Sequence, residues 1–164
     1  MRLISLLMTA TVAVGVIASP VVGQQSDSQI APRSVELVKI GEQQLAAGNF
    51  KAAEDALETA LAADPRNRTA FVDAARVAQK QGLPGKAIRF TNKALQLEPN
   101  DLDAITVQGQ AMVELGAVPR AKENLAKLQK LCPKGCTQLA TLNAAITRGP
   151  AVASAKVPDS PKTN

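Results

Sequence analysis

The chain has 164 residues, a formal net charge of +5 and an aromatic content of 2%, and it contains no Trp, Tyr or His. This composition disfavours nucleic-acid binding, which uses stacking aromatic residues and a continuous basic stripe. The absence of His removes the usual general base of nucleophilic catalysis and a common metal ligand. We therefore predict a single domain with a core of small and aliphatic side chains, no catalytic residue, no metal and no cofactor.

Residues 1–23 have the pattern of a secretory signal peptide. Arg2 supplies a positive charge, residues 3–17 form an apolar run, and Ser19-Pro20 breaks any helix. The small residue Gly23 predicts cleavage directly after it. A retained membrane anchor is the alternative, but the apolar run is shorter than the roughly 20 residues of a spanning helix. We expect an exported protein, periplasmic or secreted, with no stable membrane insertion after cleavage.

Five sets of residues recur with a period of 34 residues in the middle of the chain. The sets are Pro65, Pro99 and Pro133; Gly48, Gly82 and Gly116; Ala53, Ala87 and Ala121; Gly41, Ala75 and Gly109; and Ala60, Ala94 and Leu128. A Gly of each unit can adopt the positive φ that ends one helix, and a Pro ends the next. The period therefore predicts two helices in each of three units, at 34–67, 68–101 and 102–135.

This pattern resembles the tetratricopeptide repeat, whose motif combines small residues in both helices with a Pro at the end of the unit. The resemblance covers residues 34–133. Phe71 matches the aromatic position of the first helix, whereas Leu37 and Ile105 replace the Trp that is usual there. The resemblance implies an all-α, right-handed α-solenoid of three helix hairpins. It also implies that the first helices line a concave groove that binds a protein or peptide.

An apolar stripe at residues 137–147 predicts a capping helix, because the last hairpin of such an array has an uncovered face. Leu139, Leu142 and Ile146 form the stripe, and Gln138 is expected to face water. Beyond Arg148, the composition is too poor in large apolar residues to form a packed structure. The predicted boundaries are a flexible leader at 24–33, a repeat domain at 34–148 and a disordered tail at 149–164.

The two cysteines, Cys132 and Cys136, flank a Pro-Lys-Gly turn between the third unit and the capping helix. In an oxidising compartment, this arrangement predicts a disulfide that ties the capping helix to the third unit. A redox-active or copper-binding pair is the alternative, although no His is present to complete a metal shell. Activation of a thiolate would also need a nearby cation or helix N-terminus, and Lys134 gives only weak support.

The resemblance also implies which residues line the groove. These are Val38, Glu42, Leu45 and Ala46 in the first unit, Val72, Arg76, Gln79 and Lys80 in the second, and Thr106, Gln110, Val113 and Glu114 in the third. The set lacks the full Lys/Asn/Arg pattern by which some relatives hold a C-terminal carboxylate, so that ligand is not predicted. For some of these positions, an ordinary solvated helix face is the alternative.

Charged residues on the second helices allow two further hypotheses. Glu54, Asp55 and Glu58 could serve carboxylate catalysis, but such a cluster is usually a solvated helix face. A basic stripe of Lys86, Lys93, Arg120 and Lys127 could steer an acidic partner, or the acidic first unit of another copy, toward the protein. The alternative is that these charges only maintain solubility.

Together these features predict a non-catalytic protein-protein interaction module or assembly adaptor in a bacterial cell envelope. A redox or metal-handling accessory that uses the cysteine pair is the alternative.

Overall fold

A computed structural model describes residues 29–150. The helices are α1 (Pro32–Ala46), α2 (Phe50–Ala63), α3 (Arg68–Lys80), α4 (Pro84–Leu97), α5 (Leu102–Glu114), α6 (Val118–Leu131) and α7 (Thr137–Arg148). The described part of the chain has no strand, and the predicted all-α class is confirmed. Among residues 29–150, no helix is long and apolar enough to cross a membrane. The predicted signal peptide, the leader as far as residue 28 and the tail from residue 151 lie outside the described residues.

Each of the three hairpins turns at a glycine with positive φ. Gly48, Gly82 and Gly116 have φ values of 78°, 73° and 75°. The Gly48 amide donates to the Leu45 carbonyl, and the following amide reaches back to Gln44, so the last carbonyls of α1 are satisfied. The same pair of hydrogen bonds ends α3 and α5. The predicted role of the recurring glycines is therefore present in all three hairpins.

The hairpins stack into two layers. The odd-numbered helices contact one another in chain order, and each even-numbered helix packs between its own hairpin partner and the odd-numbered helix that follows. The last helix, α7, contacts both α5 and α6, as α3 contacts α1 and α2. It thus covers the end of the array as predicted, and it also extends the odd-numbered layer by one helix.

Two glycines allow helices to approach more closely than any other residue would permit. A Cβ atom at Gly41 of α1 would lie 2.6 Å from Leu57 Cγ in α2. A Cβ atom at Gly109 of α5 would lie 2.6 Å from Leu142 Cδ1 in α7. Both leucines are fully buried. The predicted small-residue positions are thus the places where large leucine side chains enter the core.

The first helix begins at Pro32, earlier than the start at Ser34 that the 34-residue register predicts. Pro32 occupies the first turn, where its fixed φ favours a helix and its missing N–H costs no hydrogen bond. The preceding amide, that of Ala31, donates to Asp64 Oδ2 at 3.0 Å, and Ile30 is buried. The last residues of the predicted leader are therefore packed onto the first hairpin.

Polar side chains connect one unit to the next at the buried turns. Asn67 and Asp101 each cap a first helix, accepting from the amides of Ala70 at 3.2 Å and Ala104 at 2.6 Å. Asn67 also donates to Ser34 Oγ at 2.8 Å, so the cap of α3 is joined to the start of α1. These bonds fix how each hairpin follows the last, because an unpaired buried polar group costs stability.

Substituting Gly41→Ala is expected to lower the free energy of unfolding by about 1–2 kcal/mol, because overlap with Leu57 outweighs the higher helix propensity of Ala. Gly85→Ala is the matched control, since Gly85 lies in α4 and a Cβ there meets nothing within 4 Å. That control is expected to be neutral or stabilising by about 0.5–1 kcal/mol. Urea unfolding followed by circular dichroism measures both, and equal effects would contradict the packing argument.

Asp64 gives the fold a predictable dependence on pH. Its carboxylate accepts from the Arg66 side chain and from the amides of Ala31 and Arg66, which holds the pKa of Asp64 well below its usual range. Because the folded-state pKa is the lower one, this stabilisation is complete above a pH of about 3.9 and is lost as the pH falls toward the folded-state pKa. Asp64→Asn is expected to lower the melting temperature at pH 7, by an amount that shrinks in thermal scans below about pH 4. A constant difference from pH 7 to pH 2 would contradict this account.

Candidate peptide-binding groove

The residues predicted to line the groove divide into a buried set and an accessible set. Val38, Val72, Thr106 and Val113 are buried in the odd-numbered layer. Leu45, Arg76, Gln79 and Gln110 are half-buried, and Glu42, Ala46, Lys80 and Glu114 are exposed. The buried members pack between the helices, and the accessible members offer the larger area to a ligand.

One cleft lies between α3, α5 and α7 and has a volume of about 170 Å³. Its lining residues are Arg76, Asp103, Thr106, Val107, Gln110, Thr137, Gln138 and Thr141. Three of them, Arg76, Thr106 and Gln110, were predicted from the resemblance. We call this space the central cleft. It brings side chains of the second unit, the third unit and the capping helix to one place.

A second cleft, of about 480 Å³, adjoins the central cleft at Gln110, which lines both. It lies between the C-terminal ends of α5 and α7. Its other lining residues are Val113, Glu114, Ala145, Arg148, Gly149 and Pro150. The two clefts together form a continuous accessible surface along α5 and α7.

A third cleft, of about 270 Å³, lies at the other end of the array. It contains the predicted residues Val38 and Glu42, and its remaining lining residues are Ile30, Val35, Lys39, Asn67 and Thr69. It shares no lining residue with the other two clefts. The predicted groove residues of α1 are thus separated from those of α3 and α5.

The contribution of the capping helix to the central cleft was not predicted. Thr137, Gln138 and Thr141 line the cleft, whereas the sequence pattern placed Gln138 toward solvent. The apolar stripe through Leu142 was the sequence feature that could have predicted this contribution. A helix that packs Leu142 against α5 also places the adjacent side of α7 next to the odd-numbered helices. This prediction requires α7 to be treated as the first helix of a fourth, incomplete unit.

Two carboxylates hold the guanidinium of Arg76 at the central cleft. Arg76 Nη1 donates to Asp73 Oδ1 at 2.6 Å, and Arg76 Nη2 lies 3.3 Å from Asp103 Oδ2. Asp103 Oδ1 also accepts from Gln138 Nε2 at 3.0 Å, which joins α5 to α7. The result is a continuous polar connection from α3 across α5 to the capping helix.

Asp73 is unusual because it is an acid that is only 2% exposed. Its Oδ2 is buried and has no hydrogen-bond partner among the described residues. Burial raises the pKa of Asp73; hydrogen bonding to Arg76 and its positive charge oppose the shift, and the charges of Glu42 and Asp103 add to it. Sequence reasoning missed this residue, because a single Asp in a helix normally indicates a solvated position.

Gln79 and Glu114, both predicted, contact each other across α3 and α5. Gln79 Nε2 donates to Glu114 Oε1 at 2.9 Å. Burial raises the pKa of Glu114, while the hydrogen bond from Gln79 and the charge of Lys80 act in the opposite direction. Gln79 is therefore partly occupied within the protein, and Glu114 adds an acidic group beside the second cleft.

The carboxylates of α2 are engaged in ion pairs on the opposite layer. Glu54 accepts from Lys86 and from Gln81, which lowers the pKa of Glu54, so this carboxyl stays ionised rather than acting as a general acid. Lys86 also lies 3.5 Å from Glu58. The cluster joins α2 to α4, and Lys86 of the proposed basic stripe is not free to meet an external acidic partner.

The comparisons with known proteins agree with this geometry. A family model of the tetratricopeptide repeat matches residues 44–93. The second TPR domain of human RPAP3, solved in complex with the HSP70 peptide SGPTIEEVD, superposes with a TM-score of 0.64 at 22% identity, covering 70% of this chain and 95% of that one. The TPR2B domain of yeast Sti1 in its pHsp70 complex gives a TM-score of 0.66 at 17% identity, covering 72% and 98%. The Sgt2 TPR domain from Aspergillus fumigatus gives 0.64 at 22% identity, covering 82% and 92%. No curated protein matches the chain significantly by sequence.

The fold is that of a tetratricopeptide repeat. The seven helices of residues 29–150 and these superpositions confirm the predicted TPR-type helical repeat. TPR domains are generally non-catalytic interaction modules. The likeness in sequence is low, so what the relatives bind does not transfer to this chain by identity alone.

The third TPR unit ends differently from the first two. Cys132 and Cys136 form a disulfide, with their Cα atoms 5.9 Å apart. Cys132 is the last cap of α6 and Cys136 the first cap of α7, and no side chain caps α7 as Asn67 caps α3. The predicted bond is therefore present in the structure at the junction that positions the cleft-lining residues of α7. Within residues 29–150, no group of His, Cys, Asp or Glu side chains is arranged to hold a metal.

Replacing both cysteines, with Cys132→Ser and Cys136→Ser, is expected to lower the free energy of unfolding by about 2 kcal/mol, as the loop-closure estimate for so short a loop gives. Adding a reductant to the unmodified chain is expected to have a similar effect, and adding it to the double variant none. Hydrogen exchange of the α7 amides is expected to speed up in both cases. Unchanged exchange in α7 after reduction would show that the packing of Leu142 alone holds the helix.

Proposed function

We propose that this protein is a non-catalytic interaction module or assembly adaptor of a bacterial cell envelope, and that it holds a peptide segment of a partner in the concave TPR groove. The observation that carries the proposal is the central cleft together with the adjoining second cleft. Side chains from α3, α5 and α7 converge there, and they present hydroxyl, amide and charged groups. The RPAP3 and Sti1 domains support this kind of partner, since the former was solved with a peptide and the latter in a pHsp70 complex.

The groove is suited to an extended chain of a few residues. Adjacent packed helices lie about 8–10 Å apart, so the surface from α3 to α7 spans the length of a short extended peptide. Thr137, Thr141 and Gln110 can exchange hydrogen bonds with a peptide backbone. Affinity in the micromolar range, roughly −8 kcal/mol, is expected of so small and polar a contact.

Two features support the proposed envelope setting: the signal-like segment at residues 1–23, and the disulfide, because stable disulfides are typical of oxidising compartments. The intact mass of the protein recovered from a cell-envelope fraction tests this part. A mass that corresponds to an N-terminus at Gln24 supports export and cleavage. Recovery of the full chain from the cytoplasm would contradict it.

Crosslinking and affinity capture test the groove itself. Gln110→Trp is expected to block both clefts, because Gln110 lines each of them, and to abolish capture of a partner from envelope extract. Gln96→Trp is the matched control, since it makes the same substitution at an exposed position of α4 in the other layer. A partner that the Gln96 variant retains and the Gln110 variant loses supports a groove-binding adaptor. Equal capture by both variants would exclude the groove as the binding surface.

A redox accessory that uses Cys132 and Cys136 is the second candidate, and the observation in its favour is that both residues are half-buried rather than enclosed in the core, since exchange needs access to a sulfur atom. Incubation with a glutathione redox buffer, followed by thiol labelling, measures the reduction potential of the pair. A structural disulfide is expected below about −300 mV, and a redox-active pair above it.

A further inference from the structure

Two acids of the concave surface, Asp73 and Asp103, lie at the central cleft, and the cations Lys80 and Arg148 lie away from it at the ends of α3 and α7. Asp73 and Asp103 meet at Arg76, and the charge of Glu42 in α1 acts on Asp73 from the other side. Lys80 is in the last turn of α3, and Arg148 is in the last turn of α7. The central cleft therefore carries two carboxylates around one guanidinium, and the charge of Glu42 reaches Asp73 from α1.

Arg76 is not free to bind an anionic ligand, because it already pairs with carboxylates of the protein. Both of its terminal nitrogens face carboxylate oxygens of the protein, at 2.6 Å for Asp73 and 3.3 Å for Asp103. An acidic peptide would have to compete with these internal carboxylates and would meet their repulsion. A positively charged group would instead share them, as in an Arg–carboxylate network.

A second observation also indicates a missing donor. Asp73 Oδ2 is buried without a hydrogen-bond partner. Among residues 29–150, it is the single buried side-chain nitrogen or oxygen atom that lacks one. A carboxylate oxygen in this position is costly unless a donor or a positive charge approaches it. Arg76, which covers Asp73, keeps more than a third of its side chain exposed at the central cleft. Arg76 therefore separates the carboxylate of Asp73 from the cleft, and Asp73, Asp103 and Arg76 together carry two acids against one guanidinium.

Asp103 supplies the accessible part of this charge. Its side chain is 47% exposed and lines the central cleft opposite Arg76. Gln138 of α7 donates to its Oδ1 at 3.0 Å, and Arg76 Nη2 lies 3.3 Å from its Oδ2, so the partly exposed carboxylate is held in a defined orientation. The hydroxyl groups of Thr137 and Thr141 border the same space and can accept hydrogen bonds from an ammonium or guanidinium group.

We infer that the groove selects a basic peptide segment, with one Lys or Arg side chain entering the central cleft and pairing with Asp103, and with Asp73 as the counter-charge behind it. This inference rests on the proposed function, since it names the partner chemistry of the same groove. The charge preference is opposite to that of the acidic peptide SGPTIEEVD solved on the RPAP3 domain. Acidic residues of the peptide are expected toward its ends, near Lys80 and Arg148.

Fluorescence anisotropy with the full chain and three labelled peptides tests the preference. The peptides share a ten-residue Gly/Ser/Ala background and carry two Arg, two citrulline or two Glu residues at the same central positions. The Arg peptide is expected to bind about tenfold more tightly than the Glu peptide, with citrulline between them, and the difference is expected to shrink at high salt. Tighter binding of the Glu peptide would overturn the inference.

Three substitutions locate the effect. Asp103→Asn is expected to weaken the Arg peptide about three- to fivefold, as removal of one partly exposed charge should. Arg76→Gln is expected to strengthen it by a similar factor, because the internal competitor for Asp103 is removed. Asp55→Asn is the matched control on α2, where the carboxylate pairs with Lys51 far from the cleft, and it is expected to change nothing. Weaker binding of the Arg peptide to the Arg76 variant would overturn the inference.

The same measurements separate this inference from the proposed function. If a peptide binds, is lost on Gln110→Trp and is indifferent to Asp103→Asn, the groove binds peptides but the charge preference is wrong. If binding of every peptide is indifferent to Gln110→Trp, the groove itself is not the binding surface, and both proposals fail.

Discussion

This structure depends on the close approach of helices at positions where one helix has a glycine and therefore no side chain. At Gly41 and at Gly109 a leucine from the neighbouring helix occupies the space of the missing Cβ. The second of these contacts is decisive for function, because Leu142 brings the whole of α7 against α5. Without that contact, the array would end in an exposed hairpin, and the central cleft would lack one wall. A packing feature of the core thus determines the shape of the surface.

The chain fixes the start of the next odd-numbered helix in two different ways at the three junctions that follow α2, α4 and α6. After α2 and α4, a side-chain cap fixes the start of the next helix, at Asn67 and Asp101. After α6 the turn carries Gly135, and Cys136 offers no capping hydrogen bond to α7. The disulfide to Cys132 restricts the chain there instead. A covalent bond at the last junction suits a terminal helix, which has a neighbour on one side only and is therefore the easiest part of a repeat array to open.

The sequence was sufficient to predict the fold and part of the site, because a repeating pattern of residues specifies the helices and turns that recur with it. Glycines at φ near +75° and prolines after the second helices repeat in register, so the hairpins and their turns could be predicted. The identity of a groove residue depends on curvature and on α7, which has no repeat counterpart. Val113, predicted in the groove, is largely buried where it lines the second cleft, and Gln138, expected in solvent, contacts Asp103. The burial of Asp73 could not be predicted, because it depends on how α3 packs against its neighbouring helices and not on the local sequence.

The charge arrangement shows how one scaffold can serve opposite ligands. The backbone of a TPR hairpin array provides a concave face but no net charge, so the side chains of the first helices decide what enters it. Among the described residues, Arg76 carries the only guanidinium at the central cleft, and it pairs with Asp73 and Asp103 of the protein itself. Asp73 is nearly inaccessible to water. Removing water from a carboxylate strengthens its attraction for any cation that reaches the site. Asp103 is the carboxylate that a basic segment could reach, and Asp73 keeps the guanidinium of Arg76 paired, so the two acids together would make the groove discriminate between basic and acidic segments.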